Sequence, residues 1–116
     1  MTTGSLFQTG WSLLKRAPLL LALFSFSALA QNVTEVRIEN YKYFPAEIRI
    51  KTGDSVRWVN HEKRTSHSVV FPVENGLESE RMFPDESWLR RFDKAGRYDY
   101  HCGPHPEMKG SIVVVE

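Results

Sequence analysis

Residues 96–115 read GRYDYHCGPHPEMKGSIVVV, a stretch that combines a strand pattern with several metal-binding side-chain types. Apolar and polar residues alternate over 98–100, and β-branched residues return over 112–115, as in two half-buried strands. We expect Cys102 to close the first of these strands and the segment 102–108 to form the loop that leads into the second. The C-terminal part of the chain is therefore predicted to be strand, loop and strand.

The preceding chain repeats the same period of two, with β-branched and aromatic residues at alternate positions. Gly53 and the segment 94–96 mark chain reversals. The segment 72–86 is expected to be a long loop with one irregular strand or turn at most. This pattern predicts an all-β, antiparallel sandwich or barrel of about seven to eight short strands. The segments predicted as strands are 36–38, 48–50, 56–59, 69–71, 88–92, 98–100 and 112–115.

The first thirty residues have a different composition. Lys15 and Arg16 precede an apolar run over 17–30 that ends in small residues, including Ala28 and Ala30. Positive charge followed by a short apolar core and small residues is typical of a secretory signal peptide. We therefore predict a signal peptide over 1–30 and export to the periplasm. A retained membrane anchor is the alternative, but a span needs about 20 apolar residues.

The remaining segment, 31–116, has the size of one small domain. Without Lys15 and Arg16 it carries thirteen basic and fourteen acidic residues, and a nearly neutral domain provides no electrostatic basis for binding nucleic acid. Cys102 is the one cysteine, so no disulfide can form within the chain. Because an exported domain of this size has a limited core, a bound metal is expected to contribute to its stability.

Four side chains supply an unusual set of potential metal ligands. Cys102, His105 and Met108 follow one another at steps of three, and His67 lies 35 positions before the cysteine. A trigonal site of two imidazoles and one thiolate, with a weak axial thioether, describes a blue-copper electron-transfer centre. The two prolines of the loop each fix a backbone dihedral, which limits ligand movement when the metal changes charge.

Two motifs in this chain resemble the cupredoxin family of type 1 (blue) copper proteins. The first is GRYDYHCGPHPEM at 96–108, followed by an apolar strand, and the second is GDSVRWVN at 53–60, followed by His67. The two-residue gap between the last histidine and the methionine is similar to the short loop of amicyanin, whereas plastocyanin has a longer one. The resemblance covers essentially all of 31–116.

This resemblance implies a Greek-key β-sandwich that holds one copper ion and carries single electrons by Cu(I)/Cu(II) cycling. It implies that His67, Cys102 and His105 are the strong ligands and that Met108 is the weak axial ligand. It also implies that the edge of His105 reaches the surface within an apolar patch, where electrons enter and leave. The implied partners are transient: an electron-donating dehydrogenase or cytochrome, and an accepting cytochrome or oxidase. We expect a monomer that is not an enzyme and has no membrane contact after signal cleavage.

The chain departs from the family pattern near the site. The family usually has asparagine after the first histidine, where it helps to join the two ligand loops, and this chain has Ser68. Glu107 stands where amicyanin-like loops often carry an aromatic residue, so a negative charge lies beside the expected docking patch. The loop between Asn60 and His67 is one residue longer than in amicyanin. Because of these departures, we do not expect the partner of amicyanin, methylamine dehydrogenase, to be the partner of this protein.

Other residues have simpler interpretations. His61, in a charged stretch, is expected to be a solvated turn residue, and would replace His67 as a ligand only in a different loop register. His101 precedes Cys102 on a strand, so its side chain should point to the opposite face. Met82 has no partner at ligand spacing and is expected to pack in the core or a loop.

The aromatic and basic residues of the strands also have structural interpretations. Trp58 and Trp88 are expected to fill the core between the sheets. Of the pair Arg90 and Arg91, one side chain should point inward and the other outward. The alternative for this pair is a footprint for an acidic partner.

Two competing functions remain open from the sequence. Copper storage or delivery would favour an exposed, exchangeable site, whereas a thiolate with two imidazoles would hold copper tightly. A hydrolase built on the Cys102–His105 pair would also need an orienting acid and an oxyanion site, and the sequence supplies no clear set.

Overall fold

The computed structural model describes residues 32–116, which form two β-sheets packed into a sandwich. The predicted signal peptide, 1–30, lies outside the described residues. Within 32–116, no helix is long and apolar enough to cross a bilayer. The strands are β1 (Val33–Glu39), β2 (Lys42–Phe44), β3 (Glu47–Lys51), β4 (Ser55–Asn60), β5 (Val70–Phe71), β6 (Leu77–Glu78), β7 (Ser87–Arg91), β8 (Gly96–His101) and β9 (Lys109–Val115).

One sheet has the strand order β2-β1-β4-β7 and the other has β3-β9-β8-β5-β6. The prediction of an all-β sandwich is confirmed, with nine strands in the described part of the chain instead of seven to eight. The prediction of antiparallel sheets holds for most pairs but is wrong for β1 with β4 and for β3 with β9, which are parallel. Period-two alternation reports which face of a strand is buried, and carries no information on strand direction.

The segment 72–86 contains more regular structure than a long loop. A turn of 3-10 helix, Pro72–Glu74, is followed by the short edge strand β6. Asn75 and Gly76 join them with positive φ angles of 59° and 77°, a conformation that asparagine and glycine adopt more readily than other residues. Because β6 is two residues long and exposed, its sequence has no alternation from which to predict it.

The core lies between the sheets, where alternate residues of β4 point inward. Val56, Trp58 and Asn60 are fully buried, while Arg57 and Val59 between them are partly exposed. The Trp58 ring packs edge-on against Phe71 of β5, and tilted against Trp88 of β7, which is half-buried at the side of the core. The predicted roles of both tryptophans in packing are thus confirmed.

Arg90 and Arg91 of β7 point in opposite directions, as alternation predicts. The Arg90 guanidinium lies over the rings of Phe71 and Phe92, at 4.6 and 4.4 Å from their centroids. It donates two hydrogen bonds to the Glu74 carboxylate, at 2.6 and 2.7 Å. Arg90 therefore has a structural role within the domain, which favours this interpretation over a footprint for an acidic partner.

Replacement of Arg90 by methionine is expected to lower the free energy of unfolding at pH 7 by about 1 to 2 kcal/mol. Methionine keeps apolar bulk against the aromatic rings but leaves Glu74 without its partner. Hydrogen bonds from Arg90 hold the pKa of Glu74 below its usual range. This contribution is therefore present above the ordinary carboxyl pKa and is lost as the pH falls through the folded-state value.

Urea unfolding curves of the copper-free protein at several pH values would measure this effect. The difference between wild type and Arg90→Met should shrink in acid. Arg91→Met is the matched control, because Arg91 pairs with Asp93 in a largely exposed position and such pairs contribute little. Equal losses in the two variants would contradict the role assigned to Arg90.

Candidate metal centre

Three of the four side chains singled out in the sequence meet at one end of the sandwich. Nδ1 of His67 lies 3.2 Å from Nδ1 of His105, and Sγ of Cys102 lies 3.6 Å from each of these nitrogens. Two segments of chain supply them, one between β4 and β5 and the other between β8 and β9. The long separation in sequence between His67 and Cys102 is thus bridged by the sandwich itself.

The dimensions of this triangle fit a single trigonal metal ion. Bonds of about 2.0 Å to nitrogen and about 2.3 Å to sulfur separate the ligand atoms by about 3.5 Å and about 3.7 Å. The observed edges of 3.2, 3.6 and 3.6 Å are close to these values. The donor set, two imidazoles and a thiol, is one that suits copper.

Glu62 sets the orientation of the His67 ring. His67 is fully buried, and its Nε2 lies 2.9 Å from Oε2 of Glu62. Desolvation acts to raise the pKa of Glu62, but the Tyr41 amide and His67 outweigh it and hold that pKa below its usual value. A carboxylate at this distance favours the tautomer with the proton on Nε2. The lone pair of Nδ1 is then directed into the triangle.

The electrostatic surroundings also favour a neutral His67. Burial lowers the pKa of His67, although the Glu62 carboxylate acts in the opposite direction. A metal-binding imidazole must be unprotonated at the ligating nitrogen. Both the tautomer and the lowered pKa therefore suit His67 to binding a metal through Nδ1.

Asn60 holds the loop that carries Glu62. Its side-chain amide donates to the carbonyl groups of Thr65 and Met82, at 2.8 and 2.9 Å, and its Oδ1 accepts from the Glu62 amide at 2.9 Å. His67 and Met82 then exchange two backbone hydrogen bonds. Because Asn60 is fully buried at the end of β4, this network ties the His67 segment to the core.

The second segment is a tight loop over 102–108. Cys102, fully buried, donates its amide proton to the Met108 carbonyl at 3.0 Å, and the Met108 amide donates to the His105 carbonyl at 2.9 Å. These bonds close the loop on itself and place the Met108 side chain in the interior, where it is 3% exposed. The predicted stiffness of this loop therefore has a hydrogen-bonded basis in addition to its prolines.

His105 is the member of the triangle nearest to solvent. Its side chain is half-buried, while the flanking Pro104 and Pro106 are exposed. The ring of Tyr41, itself 47% exposed, meets His105 edge-on at 4.8 Å between centroids, and meets His67 at 5.4 Å. Tyr41 thus covers part of the site, and His105 keeps some exposure to solvent.

Tyr43 and Ser68 surround the cysteine sulfur on its buried side. The Ser68 amide lies 3.4 Å from Sγ of Cys102, a contact in which the backbone N–H donates to sulfur. Burial is the main cause that raises the pKa of Tyr43, and the neighbouring Cys102 acts in the same direction. The Tyr43 hydroxyl therefore stays protonated and donates to the Ser68 carbonyl at 2.6 Å.

The other candidate side chains lie outside the triangle. His61 is exposed in the loop after β4, and His101 is half-buried on β8. Neither belongs to the His67, Cys102 and His105 group, the one cluster of potential metal-binding residues found among residues 32–116. Met82 is buried against the His67 segment and forms part of the core, as predicted.

Sequence reasoning did not find three contributors to the site: Glu62, Tyr41 and Tyr43. Glu62 lies in a charged stretch, where its neighbours His61 and Lys63 are exposed, so nothing in the sequence separates it from a solvated acid. Tyr43 lies in β2, a three-residue strand that was not predicted, and Tyr41 lies directly before that strand. The spacing of Tyr41 and Tyr43 in a short alternating stretch is the one signal that could have revealed them.

Comparison with known proteins relates this chain to copper-binding proteins. A family described as copper binding proteins, plastocyanin/azurin family, matches residues 30–115. Amicyanin from Paracoccus denitrificans is 37% identical over 95 residues, which cover 78% of this chain and 72% of that protein. Amicyanin from Paracoccus versutus is 41% identical over 83 residues, covering 68% and 62%, respectively. Plastocyanin from Scenedesmus fuscus is 38% identical over 82 residues, covering 60% and 83%.

Solved structures of amicyanin variants are similar to this fold. A reduced Cu(I) form at pH 4 matches with a TM-score of 0.67 and 37% identity, covering 78% of this chain and 90% of the other. An oxidised variant matches with a TM-score of 0.66 and 34% identity, covering 80% and 87%.

Proposed function

Because this chain belongs to the plastocyanin/azurin family of copper-binding proteins, we propose that it is a blue copper protein that shuttles single electrons between redox partners. The observation that carries the proposal is the triangle of His67, Cys102 and His105 at spacings suited to one trigonal ion. Bound copper supplies a one-electron couple, Cu(I)/Cu(II), at this position. The chain needs to supply no further chemistry, and we propose that it is not an enzyme.

We assign His67, Cys102 and His105 as the strong ligands, through Nδ1, Sγ and Nδ1. Met108 is assigned as the weak axial ligand. Its burial and its place at the end of the ligand loop support this assignment. A zinc site is less suited to this set, because a thioether is a poor zinc ligand.

The role of the chain is to keep these ligands in nearly the same positions in both oxidation states. Asn60 anchors one ligand-bearing segment, and the bonds between Cys102 and Met108 close the other. Fully buried His67 and Cys102 have no room to swing outward. Since small ligand movement lowers the barrier to electron transfer, such a site suits a carrier better than a copper store that must release its ion.

We propose that electrons enter and leave through the edge of His105. The exposed surface near it is built from Pro104, Pro106 and Tyr41, with the acid Glu107 at its side. Such a surface suits transient docking of a donating dehydrogenase or cytochrome and an accepting cytochrome or oxidase. The charge of Glu107 would favour a partner with a basic group at the corresponding place.

We also propose that the protein works in the periplasm as a monomer. The support is the pattern over 1–30, in which Lys15 and Arg16 precede a short apolar run that ends in Ala30. The mass of the protein recovered from a periplasmic extract would test the proposed cleavage after Ala30.

The function is tested by visible spectroscopy and redox cycling of the protein loaded with Cu(II). We expect an intense blue absorption that ascorbate bleaches and ferricyanide restores over repeated cycles. Transfer of the metal to a chelator should be slow on the same timescale. A colourless or weakly coloured complex that gives up copper rapidly would instead support copper storage or delivery.

Replacement of Glu62 by alanine is expected to weaken copper binding by about 10- to 100-fold. Without the carboxylate, the His67 ring loses the partner that selects its tautomer and fixes its orientation. Competition with chelators of known affinity would measure the change. Glu107→Ala, which removes the same charge from an exposed position in the ligand loop, should bind copper nearly as wild type does. Equal affinities of the two variants would contradict the assigned role of Glu62.

A further inference from the structure

Ser68 is the point at which the two ligand-bearing segments are joined. It is fully buried, directly after His67, and all of its polar groups have partners. Its hydroxyl accepts a hydrogen bond from the Gly103 amide at 2.9 Å, across to the ligand loop. The same hydroxyl donates to Oε2 of Glu78 at 2.8 Å.

The direction of these two bonds gives Glu78 a specific role. A hydroxyl has one proton, and the Gly103 amide can only donate, so the Ser68 hydroxyl must direct its proton elsewhere. Glu78 is the acceptor that receives it. Without Glu78, the Ser68 hydroxyl would lose its fixed acceptor, and its orientation toward Gly103 would no longer be held.

The space around Gly103 shows how closely Glu78 packs against the ligand loop. A side-chain carbon added at Gly103 would clash with Oε2 of Glu78 and would lie 2.7 Å from Oγ of Ser68. The carboxylate therefore occupies the place where most residues after Cys102 would have their own side chain.

The backbone around Glu78 is held in register with the His67 segment. Glu78 pairs with Val70 across β5 and β6. Its neighbour Ser79 exchanges two hydrogen bonds with Val69, both at 2.9 Å, through its amide and its hydroxyl. Glu78 is exposed in the edge strand β6, but this pairing fixes the backbone position from which its carboxylate reaches Ser68.

We propose that Glu78 is a positioning residue of the copper centre, which holds Ser68 against Gly103 and so keeps the His67 and Cys102 segments in register. This inference rests on the proposed copper site. Glu78 also places a negative charge near the centre, and no Lys or Arg side chain of residues 32–116 forms an ion pair with it. A nearby negative charge stabilises Cu(II) relative to Cu(I) and therefore lowers the midpoint potential.

Glu78→Ala and Glu78→Gln separate the two effects. In the copper-free protein, Glu78→Ala should speed hydrogen exchange of the Gly103 amide by roughly tenfold, because the bond that orients its acceptor is lost. Glutamine keeps an acceptor oxygen and should leave this exchange close to that of wild type. In the copper-loaded protein, both variants lose the charge, and both should have a midpoint potential above that of wild type.

Glu80→Gln is the matched control, since Glu80 is an exposed carboxylate two residues further along the same segment without a side-chain bond to Ser68. It should change neither Gly103 exchange nor, beyond a small shift, the potential. An unchanged Gly103 exchange rate in Glu78→Ala would overturn the positioning role. A potential in Glu78→Gln no higher than in Glu80→Gln would overturn the electrostatic role.

The copper-free exchange measurement also separates this inference from the proposed function. If the wild-type protein forms no blue centre, the proposed function fails, and so does the effect on the potential. If wild type is blue while Glu78→Ala exchanges as wild type does, the inference about Glu78 alone is wrong.

Discussion

Replacement of Cys102 by serine is expected to abolish the intense blue absorption of the Cu(II) protein and its reversible bleaching. In a blue copper site the colour comes from charge transfer between the thiolate and Cu(II). The Cys102 sulfur is the one thiol available, and it lies 3.6 Å from Nδ1 of His67 and from Nδ1 of His105. A serine hydroxyl does not ionise near neutral pH and is a hard donor, so it cannot replace a soft sulfur ligand.

The substitution changes one atom at a fully buried position, so the fold should survive it. Far-UV circular dichroism of the copper-free variant would check this. Absorption spectra of both proteins at equal Cu(II) loading would then isolate the contribution of sulfur. A variant that kept the blue band at the wild-type intensity would show that the colour arises elsewhere, and the assignment of Cys102 would be wrong.

Replacement of Trp58 by alanine is expected to lower the free energy of unfolding by about 3 to 5 kcal/mol. Trp58 is fully buried in β4, and its ring packs against Phe71, Trp88 and Tyr100 with centroids 6.2, 5.3 and 5.5 Å away. Alanine would leave a large cavity between the two sheets. Since the free energy of unfolding of small domains is about 5 to 15 kcal/mol, this loss would be a large part of it.

Denaturant unfolding of the copper-free protein is the appropriate measurement, because bound metal adds its own contribution to apparent stability. Trp58→Phe is the control. Phenylalanine keeps an aromatic ring between the two sheets and leaves a much smaller cavity. It should cost markedly less than alanine. Similar small losses in both variants would contradict the central place of Trp58 in the core.

Much of the fold could be predicted from alternation alone. The segments 56–59 and 98–100 were predicted as strands and lie within β4 and β8. Strand direction could not be predicted, because a parallel and an antiparallel partner bury the same alternating face. The edge strand β6 was missed for a related reason, since a strand of two exposed residues has no buried face to leave a pattern.

The site likewise has features that could be predicted from the sequence and features that could not. The short loop fixes how far apart Cys102, His105 and Met108 can lie, so their grouping followed from spacing and from the chemistry of sulfur and imidazole. That His67 reaches the same point was inferred from residue type and family resemblance, and the structure brings it to 3.2 Å from His105. The axial role of Met108 remains a prediction.

The chemistry of the ligands and the length of the loop that carries them are properties of short stretches of chain. Both could therefore be predicted from the sequence alone. The partners of the ligands depend on how the loops and strands fold back on one another, even where the two residues are only five or ten positions apart. Glu62 and Glu78 look like any other surface acid in the sequence, and only the folding of the loop after β4 and the pairing of β5 with β6 place them beside His67 and Ser68. The amino-acid sequence alone therefore specified which donor atoms are present. The tertiary structure set the tautomer of His67, how firmly the two ligand-bearing segments are held, and which charges lie near the site. The reason is that hydrogen bonds and electrostatic fields act between groups that are close in space, whatever their positions in the chain.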